Sequence, residues 1–141
     1  MKTKFMVLAT TLLLAFTTTF AKDNSAVPAS ISNGLHQQFA NVNNVQWQLA
    51  ANYYKADFTI NGQPLAAFYT LDGDMMGVAR PLTAGELPTA LLKEVQDKQS
   101  GNTVTDLFQL FSDRGTEYYI TYQTSKGTKT YKSNGDHWMR Y

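Results

Sequence analysis

The chain contains no cysteine. It therefore has no disulfide, no thiolate ligand, no cysteine nucleophile, and no thiol for a lipid anchor. Histidine is almost as scarce, with only His36 and His137. A zinc site needs three or four His, Cys or carboxylate ligands. His36 falls on a predicted helix and His137 just after a turn, so neither a zinc site nor a Ser-His-Asp triad is expected. G-x-S-x-G is absent, no Ser is followed three residues later by Lys, and no Lys-Thr-Gly occurs, which removes the serine hydrolase and penicillin-recognising patterns. There is no P-loop and no G-x-G-x-x-G. Charge of one sign is missing too, with 12 basic residues against 11 acidic ones. Nothing in that balance steers toward nucleic acid or an anionic membrane. The acids scatter over turns and helix faces, and no spacing sets two of them in an apolar pocket that would raise one pKa. No enzyme, metal or cofactor is expected from these residues.

A hydrophobic run long enough to cross a bilayer is also lacking. The chain opens MKTKFMVLATTLLLAFTTTFAKD, with Lys2 and Lys4 before an apolar stretch from Phe5 to Phe16. That stretch falls well short of the roughly 20 residues a membrane span requires. A basic start, a short apolar centre and the small residues Thr19 and Ala21 make a secretory signal peptide over residues 1–21. Cleavage after Ala21 would release a periplasmic or secreted protein that is not inserted in the membrane. Residues 22–30, beginning KDNSAVPA, read as a flexible leader.

What is plentiful is aromatic. The sequence holds eight Tyr, eight Phe and two Trp, enough for a core built without disulfides. Ile31, Leu35 and Phe39 recur every four residues and predict a helix over 31–40. VQWQL (Val45–Leu49) and YYKADFTI (Tyr53–Ile60) alternate apolar and polar residues as half-buried strands do. Asn61-Gly62 is a strong hairpin signal, because both residues tolerate positive φ. Return strands follow at Leu65–Leu71 and Met75–Ala79. A connection RPLTAGE (Arg80–Glu86) leads to a second helix opening at Leu87-Pro88, with Leu91, Leu92 and Val95 on its apolar stripe. Four more strands are expected at Thr103–Phe111, Glu117–Thr124, Thr128–Tyr131 and His137–Tyr141.

The order is thus α-β-β-β-β, twice. YTLDGDMMG (Tyr69–Gly77) and YKSNGDHWM (Tyr131–Met139) mark matching points. Asp72 becomes Asn134 in the second copy and Met75 becomes His137, while Gly and the following Asp stay. A coordination site would need its ligand set kept, whereas a tight turn needs only a residue tolerant of αL and then Gly. LDGDMMG also lacks the ligand spacing of an EF-hand. These are turns. Matching Tyr54 to Tyr118, Ala56 to Ile120 and Phe58 to Tyr122 keeps strand faces in phase. The class is α+β: tandem α-β-β-β-β repeats over 31–80 and 87–141, forming a single domain over 31–141 whose antiparallel sheet is covered on one face by two helices.

VQW, YYKADFTINGQ, AAFYTLDGDMMG, LPTALL, TEYYITY and YKSNGDHWM, in this order, resemble the beta-lactamase-inhibitor-like, PepSY-like family of exported Bacteroidetes proteins. The resemblance spans about residues 31–141 and implies tandem α+β repeats around an antiparallel sheet. The second copy departs from it by lacking Asn-Gly. Related folds bind proteins through a sheet face, including inhibitors of secreted hydrolases. The residue pattern itself puts Trp47, Tyr54, Phe58, Tyr118 and Tyr122 in the core beneath the helices. Tyr53, Phe68 and Tyr119 fall on the alternate face with Lys55, Asp57, Thr59, Thr121 and Gln123. Tyrosine amid polar residues on a sheet suits protein binding. Tyr53, Lys55, Phe68, Tyr119, Thr121 and Trp138 are therefore the candidate partner-binding residues, and the expected partner is an envelope or secreted protein. Trp138 could lie on either face. Lys126, Lys129 and Lys132 form the one local run of charge, either a solvated hairpin whose lysines discourage edge pairing or a patch for an acidic partner or anionic sugar. The function expected is a non-catalytic binding module, inhibitor-like in architecture. The alternatives are an envelope structural or small-ligand-binding protein and, less favoured, a small secreted hydrolase.

Overall fold

A computed structural model of the protein describes residues 27–98 and 100–141. The expected signal peptide and most of the leader lie outside the described residues. Helix α1 (Ala29–Gln38) is followed by strands β1 (Asn43–Leu49), β2 (Tyr53–Ile60), β3 (Gln63–Thr70) and β4 (Met75–Pro81). A 3-10 turn (Ala84–Glu86) and helix α2 (Thr89–Lys98) precede β5 (Thr103–Ser112), β6 (Gly115–Thr124), β7 (Gly127–Ser133) and the short β8 (Met139–Arg140). All eight strands lie side by side in sequence order, each antiparallel to its neighbour. The structure is α+β, with an open eight-stranded antiparallel sheet and both helices packed on one face.

Local chemistry accounts for the main breaks. Asn61 and Gly62 take φ of 51° and 79° at the β2–β3 turn, the two positive values a tight hairpin needs. Gly73 (φ 97°) turns β3 into β4 while the Asp74 amide donates to Thr70 Oγ1 at 3.0 Å. Asn41, between α1 and β1, and Asn44, where the register of β1 shifts, reach φ of 58° and 55°, which asparagine tolerates better than most residues. Helix α1 ends one residue before Phe39, yet the Phe39 ring still sits 5.2 Å from that of Phe58. Strand β4 runs to Pro81, two residues beyond its expected end, because Pro81 pairs with Phe108 at the strand's last position. A proline at a strand terminus costs little of the ladder.

The helix-covered face divides into two apolar clusters. Helix α1 brings Ile31 and Leu35 onto Ala56, Phe58, Ala67 and Tyr69. Helix α2 brings Leu91 and Val95 onto Leu107, Ile120, Tyr122 and Trp138. Tyr54 and Tyr118, Ala56 and Ile120, Phe58 and Tyr122 all lie on this face, in the phase that the 64-residue spacing requires. Between the clusters runs a polar seam. The Arg80 guanidinium donates to Glu86 Oε1 at 2.7 Å. With its amide oxygen turned toward Arg80, Gln109 accepts from Nε at 2.7 Å and Nη2 at 2.9 Å. The Glu86 carboxylate also accepts from the Thr83 amide (2.7 Å) and hydroxyl (3.0 Å), closing a capping box on the 3-10 turn.

Candidate functional site

Among the described residues the other face of the sheet carries no helix, yet it is not a polar surface. The central strands β3 and β4 place small residues there, Ala66, Ala79 and Gly77. Larger rings close over them from both sides, Tyr53 and Phe68 from one, Phe108 and Tyr119 from the other. Tyr53 meets Phe68 edge-on at 5.8 Å between centroids. Phe108 stacks on Tyr119 at 5.0 Å, and Tyr141 meets Tyr119 edge-on at 5.8 Å. Phe108 is 0% and Tyr119 3% exposed. Offset and edge-to-face ring pairs of this kind add to their area burial.

Charge surrounds this floor in pairs. Lys55, itself buried, holds Asp57 at 2.9 Å, and Lys132 lies 3.7 Å from Glu117. Burial nevertheless raises the pKa of Asp57, against the pull of its Lys55 hydrogen bond and charge. Asp106, paired in register with Thr121, is pushed up to about 6, first by burial, with the Leu107 amide and the more distant Lys55 charge opposing. Its Oδ2 has no hydrogen-bond partner among the described residues. Burial likewise raises the Tyr119 hydroxyl, reinforced by Glu117 and Tyr141, and Tyr119 donates to Glu117 Oε2 at 3.3 Å. Thr121 and Thr130 share a hydrogen bond of 3.0 Å between their hydroxyls.

Tyr53, Lys55, Phe68, Tyr119 and Thr121 thus share the helix-free face, as their alternation implies. Two corrections follow. Tyr53, Phe68, Tyr119 and Lys55 are buried, not exposed, because rings from neighbouring strands cover one another. Trp138 belongs to the opposite face, where it is buried against α2 and donates from Nε1 to the Leu91 carbonyl at 3.2 Å. It shares no surface with the other five. Phe108 and Tyr141 belong to the aromatic cluster and were missed by alternation alone. For Phe108 the signal lies in LFQLF (Leu107–Phe111), since a strand apolar at successive positions buries both faces. Among the described residues no three His, Cys, Asp or Glu side chains gather as a metal site.

This arrangement has known counterparts. A BLIP-like protein from Bacteroides fragilis superposes with a TM-score of 0.66 at 19% sequence identity, covering 86% of this chain and 91% of its own. A protein described as periplasmic from Bacteroides eggerthii gives 0.70 at 17%, covering 81% and 88%. A DUF2874 family protein from Bacteroides uniformis gives 0.69 at 18%, covering 80% and 86%. The fold is that of these Bacteroides proteins. The resemblance read from the sequence is met at that level. No protein-family model matches the sequence, and no curated protein does. No helix among the described residues is long and apolar enough to cross a membrane.

Proposed function

We propose that the protein is an exported, non-catalytic binding module that engages an envelope or secreted protein with its helix-free sheet face. The observation behind this reading is the composition of that face. Five of the six candidate residues share that face, where Tyr53, Phe68 and Tyr119 belong to a closed aromatic floor rimmed by Asp57, Glu117, Lys132, Thr121 and Thr130. Such a floor is rigid, so a partner meets a preorganised surface and little ordering entropy is lost. The buried rings act as scaffold. Contact falls to the rim and to Met139, which is 44% exposed on this face. The likeness to a BLIP-like protein supports an inhibitor-like use of the sheet, and the signal-peptide pattern over residues 1–21 supports export.

Charge placed on the exposed part of each face tests the reading. Met139→Glu with Thr128→Glu changes only the helix-free face. Lys93→Glu with Gln96→Glu changes only the outer side of α2. Capture of a partner from envelope extract should fall at least tenfold with the first pair and stay unchanged with the second. Equal losses, or loss only with the α2 pair, would move the binding surface elsewhere.

A further inference from the structure

A cleft of about 420 Å³ opens on the helix side, between the C-terminal end of α2 and the β6–β7 hairpin. Lys98, Lys126, Lys129, Ser125, Tyr122 and Tyr131 are among its lining residues. We propose that this cleft is a binding site for a small hydroxylated anion of about monosaccharide size, held through a phosphate or carboxylate group.

Three independent features converge on that chemistry. The first is charge. Lys98 is shared between Glu94, 3.5 Å away, and the Tyr131 ring, 4.9 Å from its ammonium. Lys126 and Lys129 have no acidic partner among the described residues, so two ammonium groups are left for a ligand. The second is an unused donor. Tyr122 is only 3% exposed, and its buried hydroxyl has no hydrogen-bond partner among the described residues. A buried hydroxyl left unsatisfied costs about 1–3 kcal/mol, a cost removed when a ligand oxygen accepts from it. The third is size. The volume lies within the roughly 300–1,000 Å³ of small-molecule sites and is far too small for a folded partner.

Strand geometry explains why Lys129 takes part and Lys132 does not, while Lys126 stands in the turn between β6 and β7. Lys129 stands opposite Tyr122 in the β6–β7 ladder, on the helix side. Lys132 stands opposite Tyr119 and points to the other face, toward Glu117. An odd separation along a strand reverses the face. The cleft is therefore distinct from the proposed partner surface.

Titration of the purified ¹⁵N-labelled protein with glucose 6-phosphate, glucuronate and glucose, at matched ionic strength, tests the site by NMR. Glucose 6-phosphate or glucuronate should move the amides of 100–102 and 122–131 saturably, and whichever binds tighter tells phosphate from carboxylate. Glucose should move none. Lys126→Gln with Lys129→Gln should raise Kd at least tenfold, and Tyr122→Phe several-fold, with the rest of each spectrum unchanged as proof of folding. Absent or non-saturating shifts, shifts spread over every lysine, an equal response to glucose, or an unaltered Kd in the double variant would overturn the proposal.

Discussion

The ring of Phe108 lies 5.0 Å from that of Tyr119, with 8° between their planes, on the face of the sheet that bears no helix. The pair sits on adjacent strands in direct register. Its burial means that this protein has two apolar layers, one under the helices and one on the far side of the same sheet. Phe108→Ala should therefore cost about 3–5 kcal/mol, as for any large core ring. Met139→Ala, on the exposed part of the same face, should cost under about 0.5 kcal/mol. Urea denaturation checks both.

The two most perturbed carboxyls should act on stability with opposite slopes. Asp106 has its pKa raised from 3.8 to about 6. Between those values the unfolded chain releases the proton while the folded chain keeps it. Stability falls as pH rises through that window and stays lowered above it. Asp106→Asn should flatten the slope and raise stability at pH 7 by about 1 kcal/mol, the full shift being discounted for the water that reaches the carboxyl. Glu86 is held down to about 2 from 4.5 by the Thr83 amide and then by Arg80. Its contribution is present above pH 4.5 and lost as pH falls toward 2, so Glu86→Gln should remove an acid-side slope instead. Denaturation midpoints from pH 3 to 8 distinguish the two variants.

Gly77 is required by close approach, not by its backbone angles. A Cβ there would stand 2.7 Å from the Phe111 carbonyl oxygen and 3.2 Å from Leu110 Cδ1. Because the nearer obstacle is backbone, the strands must separate. Gly77→Ala should destabilise by about 1–3 kcal/mol, with amide exchange quickening first in the β4–β5 ladder.

Trp138→Phe should cost about 1–2 kcal/mol through the lost hydrogen bond to Leu91 and a smaller ring. Partner capture should be unaffected at temperatures where the variant is folded. A specific loss of capture would return Trp138 to the binding surface.

Much of the architecture is legible in local pattern. YYKADFTI is strand β2 to the residue, since clean alternation and the Asn61-Gly62 turn fix both face and end. The matched phase of Tyr54 and Tyr118 is legible because a one-residue slip would reverse a buried face. The state of the second face is not. Tyr53 and Tyr119 look the same in sequence whether solvent or the rings of Phe68 and Phe108 cover them, because alternation gives the face of a residue and not what lies over it. Lys55 is buried for the same reason, with Asp57 beside it. The fate of Trp138 rests on the Leu91 carbonyl, a contact across 47 residues that periodicity does not encode. The basic cleft gathers Lys98 from a helix and Lys129 from a strand, so only the folded chain joins them.

Residue-specific photo-crosslinking in envelope extract tests most directly whether the helix-free face binds the partner. A photoreactive side chain would be placed at Thr121 or Met139 on the helix-free face, and at Lys93 or Gln96 on α2. One partner band should be shared by Thr121 and Met139 and absent from Lys93 and Gln96. Adducts from the α2 positions alone, or equally from all four, would contradict binding through the helix-free face.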